Sequence, residues 1–184
     1  LIDPVLVLPP LDRAISLFSL VWIAWLWVFP EPNRPADAGN ALLSILVFTG
    51  LALSYVDWID IPAAQRYNQI LQDTFWQSFS LGLIAIAGLA LSIRRPNGWH
   101  QGLIFFALAF LGHTFHLLFG YGQGNFPGTV RLFYLAAYPL LFTLSQRFPV
   151  PTPLSASQHS PTIVQDKDGP IRERRRYSTD PKTF

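Results

Sequence analysis

An all-α, polytopic transmembrane helix bundle of about five spans is the expected fold of this chain, and three features point to it. Hydrophobic residues make up 51% of the sequence and charged residues only 13%, about half the charged share usual in a soluble domain. The apolar residues fall in blocks of roughly twenty, the length a helix needs to cross a bilayer core. Those blocks do not alternate polar with apolar, which sets aside a transmembrane barrel. The chain has no cysteine, so disulfide frameworks and Cys-ligated metals are excluded.

Residues 1–10 are apolar but short and proline-rich. The first span is expected at 11–29, with Asp12 and Arg13 at its start, Pro9 and Pro10 at its entry, and Pro30, Pro32 and Pro35 ending it. No small-residue cleavage site follows and further spans do, so this is not a signal peptide. The second span is expected at 40–55, after a turn reading EPNRPADAG. A polar stretch carrying Asp57, Asp60, Arg66 and Asp73 follows, with room for a short interfacial helix after Pro62.

The third span is expected at 75–93. In it Ser78, Gly82, Ala85, Gly88 and Ser92 recur at steps of three and four, a small-residue face of the kind that packs helices closely in lipid. A tight turn, Arg94 to Gly98, leads to the fourth span at 99–120, and the loop GYGQGNFPG leads to a fifth at 128–147. Pro139 removes a backbone donor from the fifth helix and is expected to kink it, making it a candidate hinge. Residues 1–148 therefore read as a transmembrane domain and 149–184 as a proline-rich, basic linker to a further domain. The sequence has no methionine, and Asp180 with Pro181 resembles a helix start, so the chain is expected to be part of a longer protein.

Basic residues set the expected orientation. Up to Phe148 seven basic residues balance seven acidic ones, whereas the tail carries six basic and four acidic. If the tail is cytoplasmic, Arg34, Arg94 and Arg95 share its side, and Asp57, Asp60 and Asp73 face out. The basic tail then suits anionic lipid rather than nucleic acid.

The candidate ligand-binding residues are His113, His116, Arg131, Tyr134 and Asp73. His113 and His116 lie three apart in an apolar helix, and ionisable residues inside a membrane are functional candidates by default. Arg131, Tyr134 and Tyr138 share a face of the next helix. Asp57, Asp60 or Asp73 at the same level is expected to pair with Arg131, outlining a polar pocket open to the outside. Structural pairing of the same residues is the competing explanation. No catalytic motif or cofactor signature is present; a metal site made from His113 and His116 with Asp57, Asp60 or Asp73 is geometrically open, and an intramolecular bis-histidine haem is set aside because no second helix carries a histidine.

The run RRPNGWHQGLIFFALAFLGHTFHLLF, followed by GNFPGTVRLFYLAAYPLLFTLSQRFP, resembles the membrane regions that precede cytoplasmic modules in bacterial multidomain sensor proteins. These are sensor histidine kinases and their relatives, often carrying GAF or PAS modules. The resemblance implies a membrane-embedded input region in the bacterial cytoplasmic membrane, with the C-terminus in the cytoplasm. It implies as partners the bilayer, a downstream signalling domain of the same chain and, in some arrangements, a second copy. Any kinase chemistry would belong to that downstream part. A transporter or channel fragment and a passive membrane anchor are the alternatives.

Overall fold

The computed structural model describes residues 4–61, 65–120 and 124–145. These belong to one compact unit; residues 150–184, and with them the expected linker, lie outside the described residues. Among the described residues all regular structure is helical. Four helices are long and apolar enough to cross a membrane, and a fifth apolar segment, Gly128–Leu144, is shorter.

Helix α1 spans Pro4–Val28 and continues through Pro9 and Pro10. Each proline lacks an N–H and so gives up one bond of the helix ladder, though the fixed φ of a proline is itself compatible with a helix. As a result Asp12 and Arg13 lie inside α1 rather than on its flank. Helix α2 spans Arg34–Ile59, beginning six residues before the expected boundary. Asn33 caps it by accepting from the Ala36 N–H, Pro35 sits in the first turn, and Asp37 faces the positive end of the helix dipole. Part of the stretch read as a turn is thus a well-capped helix start.

A 3₁₀ turn, Tyr67–Gln69, precedes helix α3, Leu71–Arg94, which also begins a turn earlier than expected and so takes in Asp73. Arg95 caps α3 in the left-handed region, at φ 46° and ψ 49°, and Gly98 follows at φ 72°, closing the connection to helix α4, Trp99–Phe119. Helix α5 spans Gly128–Ala137. It does not continue as one α-helix: a 3₁₀ segment, Tyr138–Leu141, takes over around Pro139, and one helical turn, Phe142–Ser145, follows.

Helix α1 packs on α2 and α3, α3 on α4, and α4 on α5. Close approach is built into α4. A Cβ on Gly102 would stand 2.6 Å from Leu91 and 2.8 Å from Trp27, and one on Gly112 would stand 2.8 Å from the Cβ of Phe133. One core cluster joins Leu20 and Trp27 to Ile84, Leu91, Phe105 and Tyr134; a second joins Leu17 and Val21 to Val47, Trp58 and Trp76.

The outside of the bundle is apolar. Only 17% of the apolar window of α2 is buried, and Leu42, Ile45, Leu46, Phe48, Leu53 and Val56 all face outward. A water-soluble monomer rarely exposes so large an apolar surface, whereas lipid tails solvate it. The fold and its exterior are those of a polytopic helical membrane protein.

The small-residue face of α3 is not the face that packs within the chain. Ser78, Gly82 and Ala85 are exposed, Gly82 has open space where a Cβ would stand, and the Ser92 hydroxyl donates to the Gly88 carbonyl of its own helix. The buried face of α3 carries Asp73, Trp76, Gln77, Ser80, Ile84, Ala87 and Leu91. Charge settles the rotation: turning Asp73 and Gln77 toward lipid would leave them without partners.

Candidate functional site

At the end of the bundle where α1 and α3 begin and α4 ends, polar side chains from these three helices converge on Asp73. Its Oδ1 accepts from Arg13 Nε at 2.6 Å and from Gln77 Nε2 at 3.4 Å, and its Oδ2 is 2.9 Å from His116 Nε2. Arg13, Asp73, Gln77, His113 and His116 are all at most 4% exposed. Arg13 spends its remaining donors on the Asp12 carboxylate at 2.9 Å, the Asn68 side chain and the Asn125 carbonyl. Its guanidinium also stands 5.5 Å from the centre of the Tyr67 ring.

A second branch leaves Asp73 through Gln77. Because the Gln77 amide nitrogen donates to a carboxylate, its oxygen is left to accept, and His113 Nδ1 must therefore carry the proton that meets it. His113 Nε2 is then the acceptor for the Tyr134 hydroxyl, 3.0 Å away. Tyr134, His113 and Gln77 each donate to the next, so every dipole in the row points its positive end toward Asp73. A row of aligned dipoles and a guanidinium together stabilise one buried carboxylate.

The loops close this end of the bundle. Asn68 Nδ2 donates to the Phe126 carbonyl, and the Tyr67 N–H donates to Asn125 Oδ1. Tyr67, between α2 and α3, is fully buried, and that burial pushes its phenol up to about 12, with Asp73 adding to the effect and Arg13 opposing it.

Four of the five candidate ligand residues, Asp73, His113, His116 and Tyr134, are brought together. Arg131 is placed differently. It is exposed, pairs with Asp12 and stands 4.8 Å over the Phe126 ring, so it touches the network only at its rim, through Asp12. None of the expected aspartates pairs with it: Asp73 takes Arg13 and His116, Asp57 accepts from Gln72, and Asp60 is exposed. Among the described residues, the polar side chains enclose a small cavity. The cavity between Arg13, Ser16, Gln77, Ser80 and His113 measures about 10 Å³, space for one water.

Arg13, Gln77, Asn68 and Asn125 complete the site and were not singled out from sequence. A signal existed for Gln77, since Asp73, Gln77 and Ser80 fall at i, i+4 and i+7, on one helix face. Among the described residues no group of three or more acidic or histidine side chains is arranged to hold a metal. Comparison with protein-family models, curated proteins and solved structures finds no match, so the functional reading rests on this geometry.

Proposed function

We propose that the chain is the membrane-embedded input region of a bacterial signal-transduction protein of the sensor histidine kinase kind, in the cytoplasmic membrane with its C-terminal side in the cytoplasm. In this reading the input acts on the Arg13–Asp73–His116 network rather than in an open ligand pocket. The observation that carries it is the convergence of ionisable groups from α1, α3 and α4 on one buried carboxylate, with α5 joined through Tyr134. A passive anchor has no need of such groups, because ionisable side chains carried within membrane helices cost insertion free energy and are functional candidates by default. Loss of one pairing would shift the populations of two helix packings, and a sensor needs no more than that.

Two further features support it. Tyr134 lies five residues before Pro139, where α5 gives way to 3₁₀ geometry, so the network and the irregular turn share one segment leading toward the tail. The polar groups also occupy one end of the bundle, while the other half of the core is filled by Trp27, Ile84, Leu91 and Phe105; this favours sensing over transport. Arg34, Arg94 and Arg95 favour the cytoplasmic side for that opposite end.

The test uses the full-length protein in membrane vesicles with radiolabelled ATP. Autophosphorylation is expected, and Asp73→Asn should change its rate about fivefold or more while the protein still inserts. No phosphorylation of the wild type, or an Asp73→Asn rate equal to it, sinks the proposal.

A further inference from the structure

A groove of about 300 Å³ lies at the opposite end of the bundle, between α1, α2 and α3. Val21, Trp25, Phe29, Asn40, Leu43 and Leu83 line it, and Asn40 is the only polar amide among them. Asn40 is 7% exposed, and its Oδ1 has no hydrogen-bond partner among the described residues. An amide buried beside hydrocarbon with an unmet polar atom marks a place where something polar belongs.

The mouth of the groove is basic. The Arg94 guanidinium stands 4.6 Å over the ring of Phe29, a lining residue. Arg34 opens α2 two residues before Ala36, another lining residue, and Arg95 follows Arg94; all three arginines are exposed. Only Glu31 and Asp37 oppose them nearby in sequence, and Asp37 Oδ1 already accepts from Trp25 Nε1 at 3.1 Å.

The depths of these groups follow from helical rise. Asn40 lies six residues along α2 from Arg34, about 9 Å deeper, and Leu83 lies eleven residues back along α3 from Arg94, about 16 Å deeper. Bilayer headgroup layers are roughly 5–8 Å thick on each side. Arginines at headgroup depth therefore put Asn40 near the start of the hydrocarbon and Leu83 well within it. A glycerophospholipid carries its groups in the same order: phosphate, ester carbonyls, acyl chain.

We propose that this groove holds one anionic glycerophospholipid, with an acyl chain along Val21, Leu43 and Leu83 and its phosphate facing Arg34 and Arg94. This goes beyond the signalling proposal and does not depend on it.

The test is native mass spectrometry of the protein reconstituted with equal amounts of phosphatidylglycerol and phosphatidylcholine. One phosphatidylglycerol per chain is expected to survive detergent exchange, about tenfold in preference to phosphatidylcholine. Gly39 lines the groove and a Cβ placed on it meets no neighbouring side chain within 4 Å, so Gly39→Leu, which puts a side chain into this space, should abolish retention. Arg94→Gln combined with Arg34→Gln should erase the preference for the anionic lipid. Equal retention in wild type and Gly39→Leu, or no preference between the two lipids, overturns the proposal. So does a dimer that Gly39→Leu dissolves, which would make a second copy the occupant. Phosphatidylglycerol with a photoactivatable acyl chain gives a readout free of variants. Labelling concentrated around Leu43 and Leu83 is expected, and labelling spread over every lipid-facing helix surface overturns the assignment.

Discussion

Asp73 joins α1, α3 and α4, because it is the acceptor for Arg13, Gln77 and His116 at once. Replacing it with alanine leaves a buried guanidinium without its main counter-charge, and such a loss costs about 3–5 kcal/mol. The double change Arg13→Met with Asp73→Leu removes both charges and should unfold much closer to wild type. Thermal unfolding in detergent micelles compares the two, and equal losses would show that the ion pair is not the source. Tyr67 makes a different demand. Its phenol is held up to about 12 by burial, against an ordinary value of 10.0 in the unfolded chain. Below pH 10 both states are neutral and the contribution is complete; between pH 10 and about 12 the unfolded chain ionises first and stability falls. In Tyr67→Phe that part of the alkaline decline should vanish from the unfolding midpoints.

Helix α4 was the most legible element and α1 the least. The expected span 99–120 nearly matches Trp99–Phe119, because turn residues bound it at both ends and nothing within breaks it. His113 and His116 stood out as ionisable groups in an apolar run. Arg13 did not, since two prolines ahead of it looked like a helix entry and Asp12 beside it looked like a polar flank. Once α1 extends back to Pro4, Arg13 falls in phase with Leu17, Leu20, Val21 and Ala24 on the buried face. Phase was unreadable from hydropathy because lipid-facing and core-facing positions are equally apolar. The same blindness made Ser78, Gly82 and Ala85 look like the packing face of α3. Where α4 meets α5, size rather than polarity decides the contact: the Cβ absent from Gly112 leaves room for Phe133. Gly112→Ala should push the helices apart and destabilise the bundle by about 1–3 kcal/mol. A matched Gly82→Ala change, which meets open space, should leave the melting temperature within error.

The bundle as a body has two unlike ends. One gathers Asp12, Arg13, Asp73, His116 and Arg131; the other presents Arg34, Arg94 and Arg95 around an apolar groove. Positive residues near span ends favour the cytoplasm, so the arginine-rich end is expected there. Single cysteines at Asn97 and Asp60 should therefore react with a membrane-impermeant thiol reagent from opposite sides of sealed vesicles. Reaction from the same side would overturn the orientation.

The Arg13–Asp73 pair also bears on how the protein is made. Its two halves are 60 residues apart, and His116 comes 43 residues after Asp73. At roughly 5–20 residues per second, α1 leaves the ribosome several seconds before α3 exists. During that interval Arg13 has only its neighbour Asp12 to pair with, so α1 is a poor candidate to settle in lipid alone. Its insertion should be a shared event, completed when Asp73 arrives. Glycosylation mapping of truncated chains reads this directly. The first helix alone should insert less well than its Arg13→Leu variant, and extension through α3 should restore insertion unless Asp73 is replaced by leucine. If α1 alone inserts as fully as Arg13→Leu, the delay between the two charges has no consequence for assembly.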